Sequence, residues 1–295
     1  MPISFKEDHI SQIPALLMLE KLGYTYLTPD EALALRGGNL ANVLLEPVLR
    51  KQLAAINVVQ VSSVRTTVFS EQNITAGIDA LRNIPMDEGF MEASQTVYDL
   101  LTSGKTLEQI VDGDRKSFVM QYIDWKNPRN NVFHVTEEFA VSRTGMTETY
   151  RPDIVLFVNG IPLCVIECKR PDVKDSIEQA ISQHLRNQKA DGIRSLYLYS
   201  TLLLAINRQE GSYATTATPE KFWARWREQF TNREEEVRYR QELERVVNEP
   251  LLDDKLFGER FGYVRRNFEE LYRQPVIPSV QDEYLYNLCP VSYTH

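Results

Sequence analysis

A chain of 295 residues that is 43% hydrophobic and 25% charged carries enough apolar material for a sizeable core and suggests about two domains. Its 33 Lys and Arg against 41 Asp and Glu leave a net charge of −8, which argues against strong nucleic-acid binding by the chain as a whole but not against a local basic groove. No apolar run approaches the roughly 18 residues of a membrane helix, and the opening MPISFKEDHI lacks the basic and apolar regions of a signal peptide, so a cytoplasmic location with no membrane partner is expected.

The first element is SQIPALLMLEKLG. Ser11 suits an N-cap, Pro14 the first turn, and Ile13, Leu16, Leu17 and Leu22 recur at helical spacing before Gly23 stops the run. Segments 41–56, 74–83 and 89–102 are further helix candidates, with Pro47 blurring the start of the first. Near residue 118 the character changes. FVMQYIDW, NNVFHVTEEFAV, DIVLFV and IPLCVIEC are short, rich in β-branched and aromatic residues, and separated by turn residues, as strands are. A helix follows over 176–188, then an apolar stretch over 195–207. This order predicts an α/β fold with a mixed central β-sheet flanked by helices. From Pro219 to Glu249 acidic and basic residues interleave, which predicts a solvated C-terminal helical extension with Trp223 and Trp226 anchoring one end. The tail, RQPVIPSVQDEYLYNLCPVSYTH, sets three prolines around a short amphipathic piece and reads as a linker.

Two chemistries are not expected in this chain. There is no G-x-x-x-x-G-K-[ST] and no G-x-G-x-x-G, so ATP or dinucleotide chemistry must lie elsewhere. Three cysteines and four histidines show no zinc-finger spacing. Cys164 and Cys168 fall four residues apart on one strand, roughly 13 Å between Cα atoms, too far for a disulfide.

The stretch RPDIVLFVNGIPLCVIECKRP holds the charges that need an explanation. It reads as two apolar strands around an Asn-Gly turn, yet Asp153 opens the first strand and Glu167 and Lys169 close the second. Residues two apart on a strand share a face, so Glu167 and Lys169 point one way while Cys164, Ile166 and Cys168 point the other. Such a pair at a strand end serves either as an ordinary salt bridge or as a metal ligand beside a water-activating group. Asp153 joins them only in some registers. A two-residue loop pairs Val158 with Ile161 and sets Asp153 on the opposite face. A three-residue loop, Val158-Asn159-Gly160, pairs Phe157 with Ile161 and Asp153 with Val165, bringing Asp153 onto the face of Glu167. A bulge elsewhere in either strand has the same effect. In those registers two carboxylates lie within reach of one hard cation, with the carbonyl of Cys168 as a further oxygen, which is donor chemistry for Mg²⁺. Lys169 would then orient a water or stabilise developing charge.

The PD, the apolar hairpin and the ECK together resemble the PD-(D/E)XK nuclease superfamily. The wider text is more specific. YIDWKNPRNNVFHVTEEFAV, RPDIVLFVNGIPLCVIECKRP and LYLYSTLLLAINRQEGSYATTATPEKFWARWRE resemble the N-terminal endonuclease region of the R (restriction) subunit of type I restriction enzymes. The resemblance runs from about residue 118 to 230 and more loosely over the whole chain. It implies a restriction-endonuclease-like core, a type I site-specific deoxyribonuclease acting on double-stranded DNA, and a Mg²⁺ cofactor. It also implies an ATP-dependent translocase downstream, and partner modification (methyltransferase) and specificity subunits. The family's metal ligands fall on Asp153 and Glu167 and its lysine on Lys169. Gln183 fits the first position of a supporting Gln-x-x-x-Tyr element, whereas Asn187 stands where Tyr is expected. Gln12 and Glu20 are the nearest candidates for an assisting acid on the first helix, and neither matches. Arg151, Arg170 and Arg186, with Lys174, surround the motif and are candidates for tracking DNA phosphates. His134 and His184 are expected to be surface or strand residues, and the cysteines buried thiols. The domain division that follows is 1–218 for the nuclease, 219–270 for the charged helical extension and 271–295 for the linker. The alternative function is a non-cleaving module that docks DNA or partner subunits on a nuclease scaffold.

The acidic balance generates a measurable expectation. The isolated chain should bind DNA weakly, and more weakly as salt rises. Fluorescence anisotropy with a labelled duplex over a salt series checks this; tight, salt-insensitive binding would contradict it.

Overall fold

The computed structural model describes residues 11–62, 65–250, 255–271 and 274–291, so the opening decapeptide lies outside the described residues. The first element of the described residues is α1 (Ile13–Lys21), whose residues from Ile13 to Leu19 are all buried. Ser11 does not cap it. Gln12 holds the cap position in a helical conformation, and the Ser11 hydroxyl instead donates to Gln281 Oε1 at 2.7 Å. A short strand, β1 (Thr25–Tyr26), leads to α2 (Pro29–Ala34), which is closed by a capping box between Thr28 and Glu31. Then comes α3 (Glu46–Ile56), which starts where Pro47 fits, because the first turn has no use for the missing N–H.

Two hairpins and two helices follow as a local unit. They are β2 (Val58–Ser62) with β3 (Arg65–Val68), α4 (Glu71–Arg82), α5 (Phe90–Ser103), and β4 (Lys105–Val111) with β5 (Asp114–Met120). The FVMQ segment, expected in the central meander, thus belongs to a separate two-stranded sheet. The central sheet takes β6 (Phe133–Glu137), β9 (Ile154–Val158), β10 (Ile161–Cys168), β11 (Leu202–Ile206) and β12 (Gly211–Ala214), with a small pair, β7 (Val141–Ser142) and β8 (Thr149–Tyr150), beside it. Between β10 and β11 run α6 (Ser176–Asn187) and α7 (Arg194–Tyr197), so the apolar stretch over 195–207 starts inside α7 and becomes strand only at Leu202.

The strand order is β1-β6-β9-β10-β11-β12. β1 with β6 and β10 with β11 are parallel; the other neighbours are antiparallel. The sheet is therefore mixed, and both its faces are apolar. Val135, Ile154, Leu156, Cys164, Ile166 and Cys168 pack under α1 and the C-terminal helices, whereas Val155, Phe157, Val165 and Leu203 pack against the helices of the local unit.

The C-terminal region contributes α8 (Arg233–Val247), α9 (Arg265–Leu271) and α10 (Val280–Leu288). The interleaved charges of α8 form an outer face with ion pairs such as Arg240–Glu236 at 3.0 Å, while Leu243, Val246 and Val247 are buried. Within the tail, α10 starts at a capping box of Ser279 and Asp282 and buries Tyr284, Leu285 and Tyr286 in the core that α1 shares.

The β9–β10 turn decides what the sheet presents. Of the registers the sequence left open, the structure takes the two-residue turn combined with a bulge. Asn159 and Gly160 form a two-residue turn with φ of +52° and +84°, pairing Val158 with Ile161, and the register shifts by one between Pro162 and Cys164. Two causes are visible. Asn159 is buried and fully engaged, donating to the carbonyls of Val132 and Tyr122 and to Asn131 Oδ1, and accepting from the Val132 N–H, which favours the left-handed turn. Pro162 has no N–H for the ladder, and proline within a sheet is confined to edges and bulges. Gly160 is required as well as permitted: a Cβ there would lie 2.6 Å from the Leu45 carbonyl oxygen.

Gly160→Ala is therefore expected to cost about 1–3 kcal/mol. Gly37→Ala, at φ +70° with open space around it, should cost about 1 kcal/mol. Urea unfolding of the two variants measures the difference; equal costs would mean that the hairpin turn is not the constraint described.

Candidate active site

The bulge moves β10 by one residue, so Val155 faces Val165 and Ile154 faces Ile166. Extending that register one step sets Asp153 opposite Glu167. Directly opposed residues share a face, and this face also carries Lys169. Asp153 and Glu167 therefore share a face, through the bulge rather than through a longer loop. Asp153 Oδ2 accepts the Cys168 backbone N–H at 2.7 Å and lies 3.5 Å from Lys169 Nζ. Lys169 Nζ also donates to the Cys168 carbonyl at 3.0 Å. The Lys169 and Asp153 side chains are only 12% and 15% exposed.

Glu167 sits deeper. It is fully buried, and neither carboxylate oxygen has a hydrogen-bond partner. Burial, then the Asp153 carboxylate, push its pKa well above the usual carboxylate range, with Lys169 and Arg186 pulling the other way. An ionised carboxylate left so is costly. A cation between Glu167 and Asp153 relieves both the burial and the repulsion, so the donor set fits a hard divalent ion. Among the described residues no group of three or more His, Cys, Asp or Glu is placed to hold a metal. Two carboxylates, the second lone pair of the Cys168 carbonyl and solvent form the available donor set, which suits Mg²⁺ rather than zinc.

Behind the carboxylates lies a polar cluster that the sequence did not disclose. His184, expected at the surface or on a strand, is fully buried on α6. Its Nε2 lies 3.0 Å from the Leu204 carbonyl and its Nδ1 3.0 Å from the Tyr197 hydroxyl. A carbonyl only accepts, so Nε2 carries the proton and Tyr197 donates to Nδ1. Asn187 Nδ2 reaches the Tyr197 hydroxyl at 3.4 Å. Burial, then the Glu167 carboxylate, hold the Tyr197 phenol well above its usual pKa. A tyrosine thus does meet Asn187, the position where the sequence lacks one, but it comes from α7.

The remaining candidates are spread around this centre. Gln183 is half-buried on α6, one residue before His184. Gln12 is buried and donates to the Asp153 carbonyl at 2.9 Å. Arg151 is exposed. Arg186 is exposed too, with its guanidinium over the Tyr150 ring at 4.4 Å. Arg170 is bonded to Asp172, which occupies part of the charge offered to a phosphate. Lys174 is exposed beside Asp175 at 3.9 Å. Cys164, Cys168 and Cys289 are free, buried thiols, as expected.

One acid was missed. Glu138 has a left-handed φ of +49° and donates its N–H to the Asp153 carbonyl at 3.0 Å. Burial and the Asp153 charge raise its pKa, against Arg151 and Arg260. The signal was present in the acidic pair that closes VFHVTEE. Its other member, Glu137, is buried and accepts from Tyr26 at 2.9 Å and Arg260 at 3.0 Å.

Comparison with known proteins places these residues in context. The sequence model of the family described as "Type I restriction enzyme R protein N terminus" matches residues 4–222. The "Putative type I restriction enzyme MjaIXP endonuclease subunit" of Methanocaldococcus jannaschii is 27% identical over 228 residues, covering 75% of this chain and 20% of that protein. The "Type I restriction enzyme HindI endonuclease subunit" of Haemophilus influenzae is 29% identical over 206 residues, 67% of this chain and 18% of that protein. The chain therefore spans about a fifth of the length of these curated relatives.

The buried imidazole generates a pH dependence. Burial holds His184 at about 4 against an ordinary 6.5, so the unfolded chain takes up its proton first. The stability it contributes is complete above about pH 6.5 and is lost as pH falls toward about 4. Between pH 7.5 and 4.5 the loss should be about 2–3 kcal/mol. Urea unfolding at both pH values should show a smaller difference for His184→Leu than for the parent chain. Equal differences would mean that His184 is protonated in the folded state.

Proposed function

This chain belongs to the family of type I restriction enzyme R protein N termini, and from that membership we propose that it is the Mg²⁺-dependent endonuclease module of the R subunit, hydrolysing DNA phosphodiester bonds. The observation that carries the reading is the bulge-set meeting of Asp153, Glu167 and Lys169, with the Glu167 carboxylate buried and unpartnered. A purely structural sheet has no need of that trio.

The residues divide the work. Asp153 and Glu167 hold the ion, with the Cys168 carbonyl as a third oxygen. Bound there, Mg²⁺ supplies Lewis-acid polarisation of the phosphodiester and lowers the pKa of a water. Lys169 is tethered by the Asp153 carboxylate and the Cys168 carbonyl, so its charge stands preorganised beside the reacting phosphate. Asp153 in turn is fixed by the Cys168 N–H through its side chain and by Gln12 and Glu138 through its carbonyl. Gln183, half-buried on α6, is the candidate for a supporting role. Arg151 and Arg186, both exposed, are the candidates for contacting duplex phosphates, while Arg170 shares its charge with Asp172.

The rest of the activity belongs to the larger protein. Cleavage after ATP-driven translocation needs a motor downstream of this chain. Recognition of the DNA sequence falls to the specificity subunit, which with the modification subunits also supplies what an acidic module lacks in DNA affinity. No helix among the described residues is long and apolar enough to cross a membrane.

In the complete assembly, Asp153→Ala and Lys169→Ala should each lower DNA cleavage by more than about 10²-fold, the scale of losing a transition-state electrostatic contact. ATP turnover should stay largely intact. Thermal unfolding of the isolated chain separates the two roles: Mg²⁺ should raise the midpoint of the parent and of Lys169→Ala, but not of Asp153→Ala. If Lys169→Ala cuts a site-bearing circular DNA at the parental rate, the trio is misassigned and a docking scaffold becomes the better reading.

A further inference from the structure

A pocket of about 450 Å³ opens between the turn after α2, the start of α3, the end of α4 and α7, and none of its lining residues belongs to the site described above. That volume lies in the range of sites for small organic ligands. Three arginines line it, Arg36, Arg50 and Arg82, against a single carboxylate, Glu46. Val43, Leu44, Pro47 and Leu198 provide apolar wall.

Arg36 is the unusual member. It is only 3% exposed, and its Nη1 donates to the carbonyls of Asn42 and Ala140, both at 3.0 Å. Its guanidinium stacks 3.9 Å from the Phe139 ring centre. Its Nε–H, however, is buried with no acceptor, and no carboxylate pairs with it among the described residues. A buried cation without a counter-charge is costly, and a buried donor without an acceptor adds to that cost. Arg50 and Arg82 both turn to Glu46, with Glu71 and Asp79 as their outer partners. Glu46, Glu71 and Asp79 match the three guanidiniums in number but pair with Arg50 and Arg82 alone, which leaves Arg36 as the guanidinium for an incoming phosphate monoester to pair with.

We propose that this pocket binds a phosphate monoester on a group of mononucleotide size, with Arg36 and Arg82 receiving the phosphate and the Val43–Leu198 wall receiving the organic part. Guanidinium groups suit this ligand because their planar N–H fork matches phosphate oxygens. The inference is independent of the nuclease reading. The phosphate can come from a free nucleotide or from the 5′ end of a DNA strand, and the two share the same chemistry.

Isothermal titration of the 295-residue chain tests it, with dAMP, deoxyadenosine and a 5′-phosphorylated oligonucleotide as probes. Arg36 also braces the fold through Asn42 and Ala140, so the variants are Arg82→Gln, on an exposed side chain, and Ser195→Trp, which fills the pocket from α7. dAMP should bind saturably and deoxyadenosine at least about tenfold more weakly. Each variant should weaken dAMP at least about tenfold, and Lys169→Ala should leave it unchanged. If only the oligonucleotide binds, with the same loss in Arg82→Gln, the phosphate belongs to a DNA end and the pocket stands. No saturable binding of either phosphate, equal binding of deoxyadenosine, binding indifferent to both variants, or binding lost in Lys169→Ala would overturn the proposal.

Discussion

One residue inserted into β10 after Pro162 governs what this sheet can do. Strand side chains alternate with a period of two, so a shift of one exchanges the faces of everything beyond it. Without the bulge, the tight Asn159–Gly160 turn would place Asp153 with Ile166, on the side that α1 and the C-terminal helices cover. With it, Asp153 faces Glu167 and Lys169. The turn and the bulge are coupled, because the turn must be tight to accommodate the Leu45 carbonyl against Gly160, and a tight turn alone gives the wrong face.

The same shift creates an electrostatic problem that the surroundings only partly solve. Asp153 is well supported, by the Cys168 N–H and by Lys169. Glu167 is not: neither carboxylate oxygen has a hydrogen-bond partner, and the Asp153 charge adds to the cost of its burial. The neutral His184–Tyr197–Asn187 cluster behind it satisfies its own donors and acceptors and offers Glu167 no countercharge. The strain of the site is thus concentrated on one carboxylate, at the place where a cation would remove it. Apolar packing elsewhere on the sheet supplies the stability that such a feature draws on.

Much of the fold was legible because its signals are local. The helix at 176–188, the paired strands around Asn159–Gly160 and the buried side of Cys164, Ile166 and Cys168 all follow from periodicity and turn chemistry. The candidate trio could be picked out from residue type and spacing, but its register could not, since both faces of the hairpin are apolar and hydrophobicity cannot choose between them. The origin of the tyrosine beside Asn187 was hidden for a different reason: Tyr197 comes from another helix, and only the return of the chain from α6 to β11 brings it there. Ser11 looked like a cap because its local pattern is that of one. A partner 270 residues away took its hydroxyl instead. FVMQ was misplaced because the run Lys105–Val111, which alternates like a strand, is its true partner.

That distant partner of Ser11 also connects the two ends of the described chain to the site. Ser11 donates to Gln281 on α10, and the Gln281 amide donates back to the Ser11 carbonyl at 2.9 Å. The next residue, Gln12, donates to the carbonyl of Asp153. Gln281 is fully buried and Gln12 nearly so, so these bonds cannot be exchanged for water without opening the core. The backbone that carries Asp153 is consequently held from three sides: by Glu138 just past β6, by Gln12 at the cap of α1, and through that cap by the C-terminal helix. A carboxylate at the start of a strand would otherwise sit on a fraying end. Here its position is set by elements from both ends of the chain, and the placement of Asp153 opposite Glu167 is a property of the whole packed unit rather than of the hairpin alone.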